Sequence, residues 1–293
     1  MTVSSLYQKG RSYRLIQLFN ILQKGNRKVH FNFKGYLILI ALILLILVYE
    51  ILIPYIRHTR LHWDTKELYG QLSGSVLPWQ VIGKSTEGRD IYALELQSGQ
   101  DTTTTVIFGA FHGDEQTGFH LVVQLAETLY AKPKLIHSRV VLIPVLNPDG
   151  LLKRKRTNAN DVDINRNFPT DNWTPVYEKA RYHPGPSPGS EVETQLAMKI
   201  IDRYHPAKII SIHDDLMMNN YNGPAKELAE EMAKYNGYPV TSDVGYPTPG
   251  SFGNFAGEEL GIPLITLELP DTNPEDAWEE NGQALIAAIN FKR

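Results

Sequence analysis

The sequence predicts an α/β protein in which one transmembrane helix precedes a domain built on a mostly parallel sheet between layers of helices. Three observations predict this class. Segments rich in β-branched residues alternate with segments of helical pattern, which is typical of βα units. Strand segments such as VVLIPVL (140–146) are apolar throughout, as strands are when helices cover both faces of a sheet. An apolar segment long enough to span a membrane lies near the N-terminus.

Composition narrows the classes of function before any motif is considered. The chain has 293 residues, of which 42% are hydrophobic and 21% are charged, as in globular proteins of one or two domains. It contains no cysteine, which excludes disulfides and thiolate metal sites and suits an extracytoplasmic bacterial protein. After Lys34 there are 22 basic and 32 acidic residues, a balance of −10. This acidic main body argues against nucleic-acid binding, which depends on attraction to phosphates.

The first predicted element is a transmembrane helix over residues 35–56. As a helix, this apolar segment would be about 33 Å long, enough to cross a hydrocarbon core of about 30 Å. Its one charge, Glu50, lies near the C-terminal end, where Tyr49 and Tyr55 can act as aromatic anchors. Pro54 is expected to end or kink the last turn.

The residues before the apolar segment predict its orientation. Residues 1–34 contain seven Lys and Arg and no acidic residue, so the positive-inside rule keeps them in the cytoplasm. An uncleaved signal-anchor at 35–56 then makes this a single-pass protein of the bacterial cell membrane and exports the rest of the chain. A buried core helix is disfavoured because the segment is apolar on every face. A cleaved signal peptide is disfavoured because no Ala-x-Ala site follows.

Beyond the anchor, residues 57–76 are interpreted as a polar stalk and residues 77–293 as one domain. Ser190 and Glu193 have the spacing of a capping box at the start of a helix. The Pro- and Gly-rich segment 171–190 is expected to be a surface loop. The predicted strands are 90–96, 104–111, 139–147, 207–213 and 262–269, and the predicted helices are 117–130, 191–204, 225–236 and 274–289.

Four of the predicted strands end at a residue suited to catalysis or ligation. His112, Asn147 and His213 follow apolar strand segments, and Glu268 lies near the end of another. In open α/β sheets, sites form outside the carboxyl ends of the strands. One such residue alone is more typical of a surface or core group, but four together indicate a site.

His112 and Glu115 form a His-x-x-Glu pattern on a glycine-rich turn. Gly113 allows the backbone to fold sharply, so that an imidazole and a carboxylate can point at one spot. His213 would complete a His₂Glu set with an open position for water, the arrangement of catalytic zinc sites. Zinc lowers the pKa of that water to about 7 and polarises a carbonyl. The His-x-x-Glu pattern alone is a weak signal.

The segment 147–169 combines a basic run, KRKR, with the sequence DINRNF. The basic run by itself is typical of a solvated surface. Asn165 and Arg166, in contrast, lie among apolar residues. An arginine is costly to bury without a partner and can hold a carboxylate through two parallel hydrogen bonds. A substrate carboxylate is therefore the expected partner.

Together these motifs resemble those of the zinc metallocarboxypeptidases. The resemblance rests on FHGDEQTG, NPDG, RTNANDVDINRNFP, SIH and TLEL, in the order and spacing of that family, and covers about residues 77–290. With VGYPTPGSFGNFAGEELGIPLITLELP, the chain is most similar to the bacterial murein peptide amidase branch. The resemblance implies a three-layer α/β/α domain around a mixed, mostly parallel sheet of about eight strands.

The resemblance also implies the composition of an active site. One Zn²⁺ per chain would be held by His112, Glu115 and His213. Glu268 matches the family's general base, which takes a proton from the zinc water and passes it to the leaving amine. Arg156 matches the arginine that stabilises the carbonyl oxygen as it becomes an oxyanion.

Further residues match the family's substrate-binding positions. Asn165 and Arg166 match the pair that binds the terminal carboxylate, and Tyr246 matches the mobile tyrosine within a position or so. Phe252 falls where the family's side-chain pocket is lined, and an apolar residue there gives no preference for a basic or an acidic side chain.

The sequence departs from the digestive carboxypeptidases directly after the zinc histidine, where those enzymes usually have a small residue. Asp214 and Asp215 follow His213 instead. Two interpretations of Asp214 and its neighbour remain open. They either attract an amino group of the substrate, or they cap a loop and orient His213.

The function predicted from the sequence is that of a membrane-anchored zinc peptidase acting on cell-wall peptides or muropeptides. The bond would join γ-D-glutamate to diaminopimelate or a similar diamino acid. A carboxypeptidase that trims ordinary L-peptides would use the same residues, as would an N-acyl amino-acid deacylase of the aspartoacylase type, against which NPDG and the anchor argue. A catalytically inactive module that binds wall peptides is the alternative outside enzymes. The complete set of ligands, base and arginine argues against it.

Overall fold

The structure, a computed structural model, describes residues 33–292. By its internal contacts the chain divides into two compact units, Met1–Trp63 and Asp64–Arg293. The predicted basic segment 1–34 lies outside the described residues except for its last two, so its cytoplasmic location stays a prediction.

The first unit is helical in all of its described residues. Helix α1 (Phe33–Leu47) leads through a π-helical turn (Val48–Leu52) into helix α2 (Ile53–Gln71), which continues into the second unit. The stretch Phe33–Gly74 is long and apolar enough to cross a membrane, with a mean hydropathy of 3.0 in its apolar window. Of the two alternatives expected for Pro54, an end of the helix is not found, because helix α2 continues past it. A π-helical turn, in which the Ile53 N–H bonds to the carbonyl of Val48, lies directly before the proline.

The second unit begins within helix α2, before the predicted domain start at residue 77. Leu72 is buried, and Tyr69 packs against the same small apolar cluster of the domain. The Tyr69 hydroxyl donates a hydrogen bond to the carbonyl of Asp90 (2.7 Å). The C-terminal part of the predicted stalk therefore packs on the domain, because this part of the helix offers it apolar side chains.

The domain is built on one sheet of eight strands. They are β1 (Gln80–Lys84), β2 (Asp90–Gln97), β3 (Thr104–Phe108), β4 (Arg139–Ile143), β5 (Lys208–Asp214), β6 (Met218–Asn222), β7 (Val240–Thr241) and β8 (Leu264–Leu269). The strand order is β1-β2-β4-β3-β5-β8-β6-β7. Strands β4, β3, β5 and β8 run parallel at the centre, and β2 and β6 flank them in antiparallel orientation. This mixed sheet confirms the predicted fold class.

Helices cover both faces of the sheet. The domain contains α3 (Gln116–Ala131), the short α4 (Pro148–Lys153), α5 (Val192–Tyr204), α6 (Lys226–Asn236) and α7 (Pro274–Asn290). One apolar core joins α3, α6 and α7 to one face through strand residues such as Ile107. A second core joins α5 and the π-helical segment Gly253–Glu259 to the opposite face through residues such as Val106. Neighbouring residues of β3 thus pack against helices on opposite faces of the sheet, because successive side chains of a strand point to opposite faces.

Two predicted strands are shorter in the structure than in the sequence interpretation. The segments 104–111 and 139–147 leave the sheet after Phe108 and Ile143. The two segments approach each other closely at that point, because a Cβ on Gly109 would lie 2.6 Å from the carbonyl oxygen of Pro144. The residues that follow are thereby free to form the turns of the site.

The predicted capping box at Ser190 and Glu193 does not form. Helix α5 has Glu191 at its N-cap position without a side-chain capping bond. Glu193 is fully buried and accepts hydrogen bonds from the Thr86 N–H (2.9 Å) and the Asn158 amide (2.9 Å). This carboxylate therefore ties α5 to loops that are distant in sequence rather than to its own N-terminus.

Candidate metal centre and substrate cavity

The carboxyl ends of the central parallel strands bring the predicted site residues together. His112 follows β3 after a short turn. His213 is the penultimate residue of β5, and Glu268 is the penultimate residue of β8. His213 and Glu268 are direct partners in the register of the β5–β8 pair. The sheet itself therefore sets the spacing between a candidate ligand and the candidate base.

Gly113 is required by a close approach of two backbone segments. A Cβ at this position would lie 1.9 Å from the carbonyl carbon of Gly150. The Gly113 N–H donates to the carbonyl of Lys155 (3.1 Å). Packing against the segment 150–155 thus holds the turn that presents His112 and Glu115.

The side chains of His112, Glu115 and His213 are buried and converge on one point. The Nδ1 atoms of the two histidines lie 3.2 Å apart, and each contacts an oxygen of Glu115, at 2.7 and 2.9 Å. Although burial by itself raises the pKa of Glu115, the two imidazoles hold it below its usual range. The carboxylate is therefore ionised, as a metal ligand must be.

This donor set fits a zinc ion. Two nitrogens bound tetrahedrally to one zinc are about 3.3 Å apart, since each Zn–N bond is about 2.0 Å. The separation of 3.2 Å between the Nδ1 atoms of His112 and His213 agrees with that value. Two imidazoles and one carboxylate also leave a fourth position for water, as catalytic zinc sites require.

Asp163 supports the cluster and was missed in the sequence analysis. Its Oδ1 lies 3.1 Å from Nε2 of His112, and its Oδ2 accepts from Arg156 (2.9 Å). Although burial by itself raises the pKa of Asp163, Arg156 and His112 hold it below its usual range. Ser211 orients the second histidine in the same way, because its Oγ lies 2.9 Å from Nε2 of His213. Contacts at Nε2 thus orient both histidine rings, and Nδ1 of each ring faces the position for the metal.

Arg156 places a permanent positive charge beside the cluster. Its Nη1 donates to Glu115 Oε1 (3.3 Å), and its side chain lines the cavity. Burial by itself lowers the pKa of Arg156, but Asp163 and Glu115 raise it above its usual range. A guanidinium held in this way is suited to stabilise a developing oxyanion.

Glu268 is buried at the same edge and has an unused acceptor. Its Oε2 has no hydrogen-bond partner among the described residues. Burial and the neighbouring Glu115 raise the pKa of Glu268 well above its usual range. A carboxyl group with a raised pKa and a free oxygen on the cavity can take up a proton and return it.

A cavity of about 430 Å³ opens in front of the cluster. Arg166 lines it and is largely buried, with Nη1 donating to the carbonyl of Asn165 (2.7 Å). Asn165 Oδ1 accepts from the Phe252 N–H (2.8 Å), which leaves its amide nitrogen as the donor available to a ligand. Tyr246 also lines the cavity from an exposed segment. The structure thus places all of the predicted substrate-binding residues around one space.

The prediction for Phe252 is wrong. Its side chain is buried among the rings of Phe108, Phe111 and Phe168, with centroid distances of 5.0–5.3 Å. Its neighbours line the cavity in its place. Packing of Phe252 in this aromatic core therefore keeps its side chain out of the cavity.

Asp214 lines the cavity at the end of β5. Its Oδ1 is buried without a hydrogen-bond partner among the described residues. Burial and the neighbouring Glu115 raise the pKa of Asp214 well above its usual range. The ring nitrogens of His213 contact Ser211 and Glu115, not Asp214.

Asn147 has a structural role and does not line the cavity. It is fully buried and caps α4 by accepting from the Gly150 N–H (2.9 Å). Its amide nitrogen donates to the carbonyls of Phe111 (3.2 Å) and Arg156 (3.3 Å). It therefore ties together the two segments that carry His112 and the arginine.

The chain resembles known proteins over more than half of its length. A model of the zinc carboxypeptidase family matches residues 71–223. The chain belongs to the zinc carboxypeptidase family. As a member of this family it is a hydrolase, and the family implies zinc for the His-Glu-His cluster.

Two relatives and one solved structure locate the chain within the zinc carboxypeptidase family. Murein peptide amidase A of Escherichia coli K12 is 36% identical over 199 residues, which cover 64% of this chain and 78% of that protein. Murein peptide amidase A of Vibrio campbellii is 31% identical over 219 residues, which cover 71% of this chain and 85% of that protein. The crystal structure of murein-tripeptide amidase MpaA from Escherichia coli O157 has a TM-score of 0.62 at 30% identity, covering 73% of this chain and 92% of that one.

Proposed function

We propose that the protein is a membrane-anchored zinc amidase that hydrolyses the bond between γ-D-glutamate and a diamino acid in cell-wall peptides. The observation that carries the proposal is the cavity, which combines a carboxylate-binding arginine with a wall of oxygen acceptors beside the His-Glu-His cluster. The similarity to murein peptide amidases supports the same class of substrate.

The wall of the cavity near β6 offers hydrogen-bond acceptors. Asn220, Asn222 and Asn254 line it, and the side-chain nitrogen of each already donates to a protein oxygen at 2.8–3.0 Å. One N–H of each amide is thus engaged with the protein, and the amide oxygens are available as acceptors toward the cavity. Asp214 and Asp243 add two carboxyl groups to the lining. Such a wall favours an ammonium group, such as the second amino group of a diamino acid.

The residues of the site divide the proposed reaction between them. Zinc, when bound, supplies a water of lowered pKa and polarises the scissile carbonyl. Glu268 takes a proton from the attacking water and returns it to the leaving amine. Arg156 donates to the developing oxyanion. Asn165 and Arg166 hold the carboxylate of the leaving diamino acid, which fixes the register of the substrate.

The proposal is tested with defined peptides. Full-length protein in detergent, loaded with zinc, is incubated with L-Ala-γ-D-Glu-meso-diaminopimelate, and the products are identified by mass spectrometry. We expect free diaminopimelate and the dipeptide. The control peptide carries 2-aminopimelate, which lacks the second amino group, and is expected to react more slowly. Faster cleavage of ordinary L-peptides would contradict the proposal and identify a general carboxypeptidase.

A further inference from the structure

The ring of Tyr182 lies among the arginines of the site. Its centroid is 5.4 Å from Cζ of Arg156 and 5.6 Å from Cζ of Arg166. Arg181, an exposed neighbour that pairs with Asp114 at 3.6 Å, lies 5.6 Å from the same ring. One aromatic side chain therefore contacts both the candidate oxyanion arginine and the candidate carboxylate-binding arginine.

The loop that carries Tyr182 is fastened to the centre of the site. A 3₁₀ turn, Ala180–Tyr182, is followed by His183, whose carbonyl accepts from the Asp163 N–H (2.8 Å). The side chain of Asn167 donates to the carbonyl of the next residue, Pro184 (2.8 Å). The segment 163–167, which carries Arg166, thus holds the loop at two points. The ring of Tyr182 is positioned together with the arginines it contacts.

A guanidinium that lies against an aromatic ring keeps its donors available. The attraction acts through the face of the guanidinium plane, whereas the N–H groups point outward in that plane. The ring can therefore restrict the rotamers of a long arginine side chain without competing with a substrate for hydrogen bonds. Such support matters for Arg166, because among the described residues its guanidinium has a single hydrogen bond, to the carbonyl of Asn165.

We propose that Tyr182 is a positioning residue that holds Arg156 and Arg166 in the orientations needed to bind an oxyanion and a substrate carboxylate. The inference rests on the proposed function, since it takes the roles of the two arginines from there. The ring of Tyr182, not its hydroxyl, makes the contacts with the two arginines. Phenylalanine at this position is therefore expected to preserve the positioning of the arginines, and an aliphatic residue is expected to lose it.

The test compares Tyr182→Phe and Tyr182→Leu in the full-length, zinc-loaded protein in detergent. Tyr177→Leu is the matched control, because Tyr177 is an aromatic residue of the same loop whose ring contacts His183. With L-Ala-γ-D-Glu-meso-diaminopimelate, Tyr182→Leu is expected to lower kcat/KM about tenfold, or about 1.4 kcal/mol. We expect both a lower kcat and a higher KM, with unchanged zinc content. Tyr182→Phe and Tyr177→Leu should stay within about twofold of the wild type.

A second measurement does not depend on turnover. Phenylglyoxal modifies accessible arginines, and peptide mass spectrometry gives the rate for each. Tyr182→Leu is expected to raise the rates at Arg156 and Arg166 several-fold, whereas Tyr182→Phe leaves them unchanged. If the wild type cleaves none of the peptides, the proposed function fails, and these rates still decide whether Tyr182 holds the arginines.

Three results would overturn the inference. Tyr182→Leu with wild-type kinetics and modification rates would show that the ring holds neither arginine. Tyr182→Phe with the defect of Tyr182→Leu would assign the effect to the hydroxyl. Loss of zinc or of folding in both Tyr182→Leu and Tyr182→Met would make Tyr182 a purely structural residue.

Discussion

At the scale of single residues, the cluster depends on side chains behind the candidate ligands. His112 and His213 present Nδ1 to the cluster while Asp163 and Ser211 occupy their other ring nitrogens. Arg156 bonds to Asp163 and thereby joins the candidate oxyanion arginine to the His-Glu-His cluster. A change in one of these residues is therefore expected to act on both metal affinity and catalysis.

Glu268→Gln is expected to leave zinc bound and to reduce kcat by about 10²–10⁴-fold, because an amide of the same shape cannot accept and return the proton. Elemental analysis gives the zinc content, and hydrolysis of the murein peptide gives kcat. Glu279→Gln, at an exposed position of α7, is the matched control. Wild-type turnover in Glu268→Gln would remove Glu268 from the role of base.

Asp163→Asn is expected to weaken zinc binding by about 10–100-fold, because the orientation of His112 is lost. Competition with a chromophoric chelator measures the affinity. Asp161→Asn lies two residues away on the exposed surface, where Asp161 pairs with Lys155, and should bind zinc as the wild type does. Equal affinities in the two variants would show that Asp163 does not support the cluster.

At the scale of elements, the end of helix α2 is a structural part of the domain. Tyr69 and Leu72, the residue directly after the helix, pack on it, and Thr65 Oγ1 lies 2.8 Å from Nε2 of His120 in α3. These contacts attach residues 65–72 to the layer of helices that covers one face of the sheet. Removal of this helix end would expose apolar surface of the domain.

Leu72→Ala is expected to lower the free energy of unfolding by about 2–5 kcal/mol, because the side chain is buried and its removal leaves a cavity. Denaturant unfolding of the full-length protein in detergent measures the change. Gln71→Ala removes the exposed preceding side chain and should cost less than about 0.5 kcal/mol. Equal effects of the two substitutions would show that the helix end is a detached stalk.

The contact between His120 and Thr65 is also expected to respond to pH. Burial lowers the pKa of His120 to about 4, against the opposing effects of Asp64 and Glu275. Between pH 6.5 and about 4 the unfolded chain binds the proton that the folded protein does not, so stability falls as the pH is lowered through this window. The full loss is on the order of 3 kcal/mol.

His120→Gln should reduce the slope of stability against pH in that window, because glutamine does not titrate. Thermal unfolding midpoints at several pH values measure the slope. His137→Gln is the control, since this histidine lies near the surface in the loop before β4. A slope that is the same in the wild type and His120→Gln would contradict the expectation.

At the scale of the whole molecule, charge and hydropathy are divided along the chain. Seven basic residues precede the apolar helix, and all the acidic residues follow Lys34. This asymmetry supports a membrane orientation with the domain outside the cytoplasm, where cell-wall peptides are found.

A protease added to intact spheroplasts is therefore expected to digest the domain and to leave a small fragment with the N-terminal residues. A cytoplasmic marker protein should remain intact in the same samples, which serves as the control for leakage. Full protection of the domain until the membrane is permeabilised would contradict the proposed orientation.

The sequence predicts features that depend on local pattern. Alternating apolar segments predict the strands and helices, and polar residues at the strand ends predict His112, His213 and Glu268 at one edge of the sheet. The family resemblance predicts Arg156, which lines the same cavity. These inferences succeed in bringing the residues together because parallel strands end at the same edge. The chemical roles stay predictions until the variants are measured.

The sequence by itself determined the α/β class, the apolar N-terminal helix and the residue types of the His-Glu-His cluster, because each depends on local segments of a few to about twenty residues. Only the tertiary structure decided what Asp163, Phe252 and Tyr182 contact. It brings Asp163 to His112 across 51 positions, buries Phe252 in the aromatic core, and sets Tyr182 against two arginines. These contacts join distant parts of the chain, and packing of the whole domain selects them.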